Sequence, residues 1–174
     1  DTNGLTFVNF ESVTIDSDDS RLTKTGDLDL GTADAAIGGS NDVTVGGLVN
    51  GDVVSVVGDD VIVGAISVSN DITLDGTNDV TVTSIATVTN DVDIDAGGAV
   101  SITSTVSANT TTGTINIQGD SVTVGGATLD SVKGSVVITA TANDVVVKSV
   151  TAQNDITLSG DDVNAAGAIN NTGG

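Results

Sequence analysis

The sequence predicts an all-β fold, a three-sided parallel β-solenoid of about 20 residues per coil, and three observations predict it. The first is a motif written three times between Asn70 and Asp95: Asn70-Asp71-Ile72-Thr73-Leu74, Asn78-Asp79-Val80-Thr81-Val82 and Asn90-Asp91-Val92-Asp93-Ile94. Each copy is a turn residue, an acid, then apolar, polar and apolar in alternation, the period of a strand with one buried face. The second is the spacing. The acids Asp71, Asp79 and Asp91 are 8 and then 12 residues apart, so the unit that repeats is their sum and two strand series interleave. The third is composition: the apolar residues are Val, Ile, Leu and Ala, with two Phe and no Trp, Tyr, Met or Pro. A narrow interior of stacked aliphatic side chains suits that choice. β-branched residues dominate and no 3.6-residue apolar stripe is visible, which argues against helix.

The first strand series runs through Asp52, Asp71, Asp91, Thr114, Ser135 and Asp155, and the second through Asp60, Asp79, Ala99, Ser121, Asp144 and Asp162. A third, weaker series fills the longer gap with the pairs Ile66 and Val68, Ala86 and Val88, Leu129 and Val132, and Val150 and Ala152. No single coil of three short strands can bury its inner side, and stacking coils does so. At this period the 174 residues hold roughly eight coils, a rod on the order of 40 Å long. The 22 glycines fall mostly between strands, where tight corners are expected to need positive φ.

Taken in order, residues 1–40 fit the repeat least well and are read as N-terminal capping coils, with residues 41–174 as the regular solenoid of the same single domain. Glu11-Ser12-Val13-Thr14-Ile15 and Gly26-Asp27-Leu28-Asp29-Leu30 are strands there. Phe7 and Phe10 stand where a solenoid must cover its open end. The inward parity of Val53 to Val57 is ambiguous because the segment is apolar throughout. Ser107 to Thr112 stretches its coil to 23 residues and marks a surface loop, a place where ligand-binding modules carry their contacts. Beyond Asp162-Val163-Asn164-Ala165 and Ala168-Ile169 no C-terminal cap is visible. Val163 and Ile169 are therefore expected at a self-association surface, stacking end to end on another copy or on flanking solenoid repeats.

Net charge is −20 with only Arg21, Lys24, Lys133 and Lys148 as bases, which excludes nucleic acid as a partner, since neither phosphate neutralisation nor base stacking is on offer. No apolar run approaches membrane-spanning length, so no membrane insertion is expected. There is no cysteine, hence no disulfide and no thiolate metal site. The chain starts at Asp1 without a signal-like segment, which makes a processed product or a segment of something longer the expectation.

Stacking brings equivalent residues of successive coils within roughly 4.8 Å. This predicts a column of Asp52, Asp71 and Asp91, and on an outward face Asp75 over Asp95 with Asp93 beside it. Carboxylates that close repel by about 1 kcal/mol per pair near water. Either backbone N–H groups satisfy each Asp in a local Asx-type turn, or a hard cation such as Ca²⁺ bridges neighbouring coils. No cofactor is otherwise required. Asn41, Asn70, Asn78, Asn90, Asn143 and Asn154 are placed at corners, where stacked amides can bond up a column. Gly38-Gly39-Ser40-Asn41-Asp42 looks superficially like a calcium-binding nonapeptide repeat, but no nine-residue period follows it.

Catalysis is not expected. There is no His, Cys or Tyr, and the two-carboxylate chemistry of polysaccharide-cleaving β-helices also needs sugar-binding rings and long groove-forming loops. An ice-binding Thr lattice is begun by Thr81 and Thr83 and by Ser101 and Thr103, then lapses at Gly125 and Val146.

Gly51-Asp52-Val53, Asn70 to Leu74 and Asn154-Asp155-Ile156-Thr157-Leu158, with their period near 20, resemble the repeats of filamentous haemagglutinin-like bacterial exoproteins, over roughly Gly26 to Ala165. The resemblance implies a right-handed β-helix at the bacterial cell surface or outside the cell, in a structural or adhesive element that contacts a host or neighbouring cell. The alternative is a ligand-binding module that recognises glycan or a surface receptor through a solenoid loop.

Overall fold

The computed structural model describes residues 5–6, 12–17, 21–87, 90–108, 113–131 and 134–173. Strands run throughout and no helix occurs among the described residues. Eight parallel strands make the first face of a β-solenoid: Ser12–Ser17, Asp34–Gly39, Val54–Gly58, Ile72–Gly76, Val92–Ala96, Ile115–Gly119, Val136–Ala140 and Ile156–Ser159. Each pairs with the strand of the next coil, and the six interior strands pair on both sides, so the eight delimit seven complete turns.

The other two faces belong to one sheet. In Val43–Gly51, Val61–Val68, Val80–Thr87, Ser121–Ser131 and Val145–Ala152 the second and third faces are a single strand with a crease. In Leu22–Lys24 with Leu28–Asp29, Ala99–Ile102 with Val106–Ala108, and Val163–Ala165 with Ile169–Asn171, the crease separates two strands. Leu5–Thr6 pairs with Leu28–Asp29 on the third face. The crease is a change of alternation. Val61 and Val63 point inward, and the next inward residues are Ile66 and Val68, not Ala65 and Ser67. Elsewhere the register itself shifts, between Val45 and Leu48 and between Val124 and Thr128.

The core is a set of columns in which like stands on like. On the first face Ile37, Val56, Leu74, Ile94, Ile117 and Ile138 stack in register and are all buried. On the second, Val43, Val61, Val80, Val100, Val122 and Val145 do the same. Burial of aliphatic area at about 25 cal/mol per Å² is thus repeated coil after coil with nearly the same side chains. Val54 and Val56 point inward while Ser55 and Val57 point out, which settles the parity of that segment.

The third face follows the sequence expectation in two coils and departs from it in two. Ile66 and Val68, and Val150 and Ala152, are buried as expected. Ile85, however, stands in register with Ile66 and is buried, while Ala86 pairs with Ser67. Leu129 is buried, but its inward companion is Ser131, in register with Ala152; Val88 and Val132 lie outside the described residues. A fixed two-residue alternation cannot foresee the parity change at the crease, and Ala86 was assigned on that alternation. Ser131 is tolerated in the core because its hydroxyl is saturated: Oγ donates to the Gly113 carbonyl at 2.6 Å and accepts the Gly134 N–H at 3.0 Å.

Glycine serves close approach here more than conformation. Among the described glycines only Gly31 has positive φ, at 62°, in a turn where its N–H reaches Asp29 Oδ1. At the crease the backbones of adjacent coils leave no room for a side chain. A Cβ on Gly126 would lie 1.9 Å from the Thr103 carbonyl oxygen, and one on Gly64 would lie 2.6 Å from that of Gly46.

Strands on both sides of residue 40 belong to the same sheets: Asp34–Gly39 pairs with Val54–Gly58, and Leu22–Lys24 with Val43–Gly51. Phe7 and Phe10 lie outside the described residues. At the other end the core is open. Ile156 and Leu158 are half-buried, and Val163 and Ile169 are 44% and 42% exposed.

Gly125 and Gly126 make a sharp comparison, because a Cβ on Gly125 would meet nothing within 4 Å. G126A is expected to lose about 1–3 kcal/mol through overpacking, a fall of roughly 2–4 °C in Tm per kcal/mol at this chain length. G125A is expected to stay within roughly 0.5 kcal/mol of the parent. Thermal unfolding of the two proteins checks this; equal effects would contradict the close approach at the crease.

Candidate functional site

The residues with chemistry to offer are the acids at the corners and on the outward side of the first face. Asp75 and Asp95 are in register on adjacent strands, and Asp93 is two residues before Asp95 on the same side. All three are exposed. The coil above carries amides at the same two positions. Asn116 Nδ2 donates to Asp93 Oδ1 at 2.9 Å, and Gln118 Nε2 donates to Asp95 Oδ1 at 3.4 Å. The outward columns therefore pass from acid to carboxamide in a single step of the stack, Asp93 to Asn116 and Asp75 to Asp95 to Gln118.

The corner column is corrected in one member. Asp71 and Asp91 stack as expected, continuing through Thr114, Ser135 and Asp155. Asp52 does not stand under Asp71: the pairing of Val54 with Ile72 puts Val53 there. Asp52 instead lies beside Ser69, whose hydroxyl donates to its carboxylate. Two residues lie between Gly51 and Val54, whereas three lie between Val68 and Ile72, although Gly51 pairs with Val68 and Val54 with Ile72. That one-residue difference is what displaces Asp52.

The corner acids are satisfied by backbone N–H groups, but those of the next coil and not of a local Asx turn. Asp71 Oδ1 accepts the N–H of Asp91 at 3.0 Å, and Asp91 Oδ1 accepts that of Thr114 at 2.7 Å. In return the Ile72 N–H donates to the Asp91 carbonyl and the Val92 N–H to the Thr114 carbonyl. The second series repeats the clasp: Asp60 holds the N–H of Asp79, Asp79 that of Ala99, and Asp144 that of Asp162. Each carboxylate takes the place of a main-chain acceptor where the chain enters the strand. Asn90 likewise donates through Nδ2 to Asn70 Oδ1 in the coil before, the amide column expected for the corner asparagines.

Among the described residues no three acidic side chains converge as a metal site requires. A concavity of about 350 Å³ is lined by Asp91, Val92, Asp93, Thr114, Asn116 and Val137. It is a shallow dish in which Asp91 and Asp93 already hold N–H groups. Ser107 belongs to the strand Val106–Ala108, and residues 109–112 of the expected loop lie outside the described residues. Side chains that sequence reasoning missed are Asn116 and Gln118 on the acid columns and Ser131 in the core. The first two were signalled by their steps of 23 residues from Asp93 and Asp95.

Comparison with protein-family models, with curated proteins and with solved structures finds no match.

Two measurements probe this geometry. D91A leaves the Thr114 N–H without its acceptor and is expected to cost about 1 kcal/mol, while D91N, which keeps an oxygen there, is expected to recover most of it; equal loss in both would refute the clasp. For the outward acids, D95N removes the like charge beside Asp75 and is expected to raise Tm slightly in chelator, with the gain fading as salt is added. A parent protein stabilised by calcium, with that gain abolished in D95N, would instead assign Asp75, Asp93 and Asp95 to a bridging cation.

Proposed function

We propose that this chain is a non-catalytic structural or adhesive rod, a segment of a bacterial surface adhesin or a subunit of an extracellular fibre. The observation that carries the reading is the uninterrupted parallel ladder, in which each described coil hydrogen-bonds to the next along two sheets. In such a stack the hydrogen bonds lie along the rod axis, so bending or stretching the rod must strain many of them together. The outward positions favour stiffness and solubility over chemistry: they carry mainly short hydroxyl side chains, amides and carboxylates, and the dish at Asp91 and Asp93 has no base, acid and nucleophile set around it.

The surface location is supported by the resemblance of the repeats to filamentous haemagglutinin-like exoproteins. The partner is another stack of coils, either flanking solenoid repeats or a second copy. Val163 and Ile169 are the contact side chains, since they continue the buried columns of Val145 and Val150 in register and have no coil above them. Calcium at Asp75, Asp93 and Asp95 belongs to the proposal as a second way of quieting the acid columns.

Electron microscopy of the purified chain, with calcium and then with chelator, tests the rod. Straight rods of constant width, joined end to end in concentrated samples, are expected in both conditions. V163D and I169D are expected to leave single rods of unchanged width while abolishing the joining. Globular or flexible particles would overturn the rod, and joining unaffected by either substitution would overturn the contact.

A further inference from the structure

The second face differs from the other two in charge. Acids stand out from the first face at Asp75, Asp93 and Asp95 and from the third at Asp29 and Asp130. Among the described residues the outward positions of the second face carry none, in a chain of net charge −20. One outward column there runs Thr44, Ile62, Thr81, Ser101, Thr123 and Val146 in register. Two residues further along the same strands stand Gly46, Gly64, Thr83, Thr103, Gly125 and Lys148. Ile62 and Val146 are 44% and 38% exposed although each has a coil stacked on both sides. Singly, exposed aliphatic residues are ordinary; these two share a column in which the residues between them are all hydroxyls.

The two columns are unequal in size. Where the first carries Thr44, Ile62 and Thr123, the second carries Gly46, Gly64 and Gly125. Gly64 is required by the crease, but a Cβ on Gly125 would meet nothing within 4 Å. Beside Gly125, an open hollow of about 300 Å³ is rimmed by Val146, Lys148 and Ala166. The margins are unequal in charge. Asp42, Asp60, Asp79 and Asp144 line the corner where the strands enter the face. Lys148, toward the crease, is the outward base of the face among the described residues, and its Nζ donates to the Gly126 carbonyl at 3.1 Å.

We propose that two copies of this chain pair side by side through their second faces, parallel and in register, about a two-fold axis that runs along the solenoid. Such an axis sets every coil opposite the same coil of the other copy and exchanges the two columns. Ile62 then lies on Gly64 of the second copy, Thr123 enters the hollow at Gly125, and the stem of Lys148 covers Val146. The same exchange carries each Lys148 toward the margin that Asp144 occupies on the other copy, and it leaves the two acidic margins on opposite sides of the pair. An antiparallel pair would lay acidic margin along acidic margin, which like charge opposes. Seven turns present on the order of 500 Å² of flat face per copy. The pair thus buries about 1,000 Å² in all, the lower limit for a specific interface, so it is expected to exchange with single chains. The pairing depends on the coil stack and is independent of the contact at Val163 and Ile169.

Cross-linking through introduced cysteines tests the pair, in a chain that has none of its own. Packed sheets stand about 10 Å apart, beyond disulfide reach, so a short bis-maleimide is the linker. Thr44 and Thr123 lie four coil spacings apart on one column, roughly 19 Å. T44C and T123C are each expected to link to their own counterpart, and a mixture of the two to give no T44C–T123C product. Adding I62D or V146D to T44C is expected to abolish the linking with Tm unchanged, since both positions are exposed. K148E is expected to raise the protein concentration needed for linking on the order of tenfold. Absence of linking at both cysteines would overturn the pairing, and a T44C–T123C product without self-linked dimers would overturn its parallel register. Linking that persists in I62D and V146D would overturn the second face as the contact.

Discussion

Coil-to-coil register is the constraint on which everything else in this molecule depends. A parallel ladder places each residue roughly 4.8 Å from its counterpart in the next coil, so a choice made at one position is imposed on a whole column. For aliphatic residues this is favourable at every step: Leu74 on Val56, Ile94 on Leu74 and Ile117 on Ile94 each bury the neighbour's side chain. Where backbones draw together, as at the crease, the same rule demands glycine, and Gly126 over Thr103 shows how little space remains.

For charged residues, like over like is a liability, and the chain meets it in two ways. At the corners the carboxylate is turned along the stack to hold an N–H of the next coil, so that Asp71 and Asp91 serve as main-chain acceptors while remaining in contact with solvent. On the outward face the acid column is interrupted by carboxamides, with Asn116 after Asp93 and Gln118 after Asp95. Both devices convert repulsion between coils into hydrogen bonding between coils. Among the described residues the one buried charge is Lys24, and it has a main-chain carbonyl for a partner.

A solenoid made this way has an interior that is nearly the same in each turn, because its buried columns repeat aliphatic side chains coil after coil. Its outward positions vary more: most are hydroxyls, amides and carboxylates, while Val57, Ile62 and Val146 stand exposed among them.

The sequence by itself determined the fold class, the number of strand series, the coil length and the stacking of Asp75 on Asp95, because all of these follow from a period that composition cannot disguise. It also determined which residues line the first two faces wherever apolar and polar residues alternate, though not at Val53 to Val57, which is apolar throughout and whose parity the structure decided. Only the tertiary structure decided what happens where alternation breaks. The crease flips parity within a strand, so Ile85 and Ser131 face inward on the third face. A one-residue difference between two corners moves Asp52 from the Asp71 column to the side of Ser69. The role of glycine and the partners of the corner acids were likewise settled in three dimensions, since both depend on the coil lying 18 to 23 residues away. Local sequence reports periodicity well because each strand carries its own pattern; it reports corners poorly because their geometry is set by the neighbouring coil.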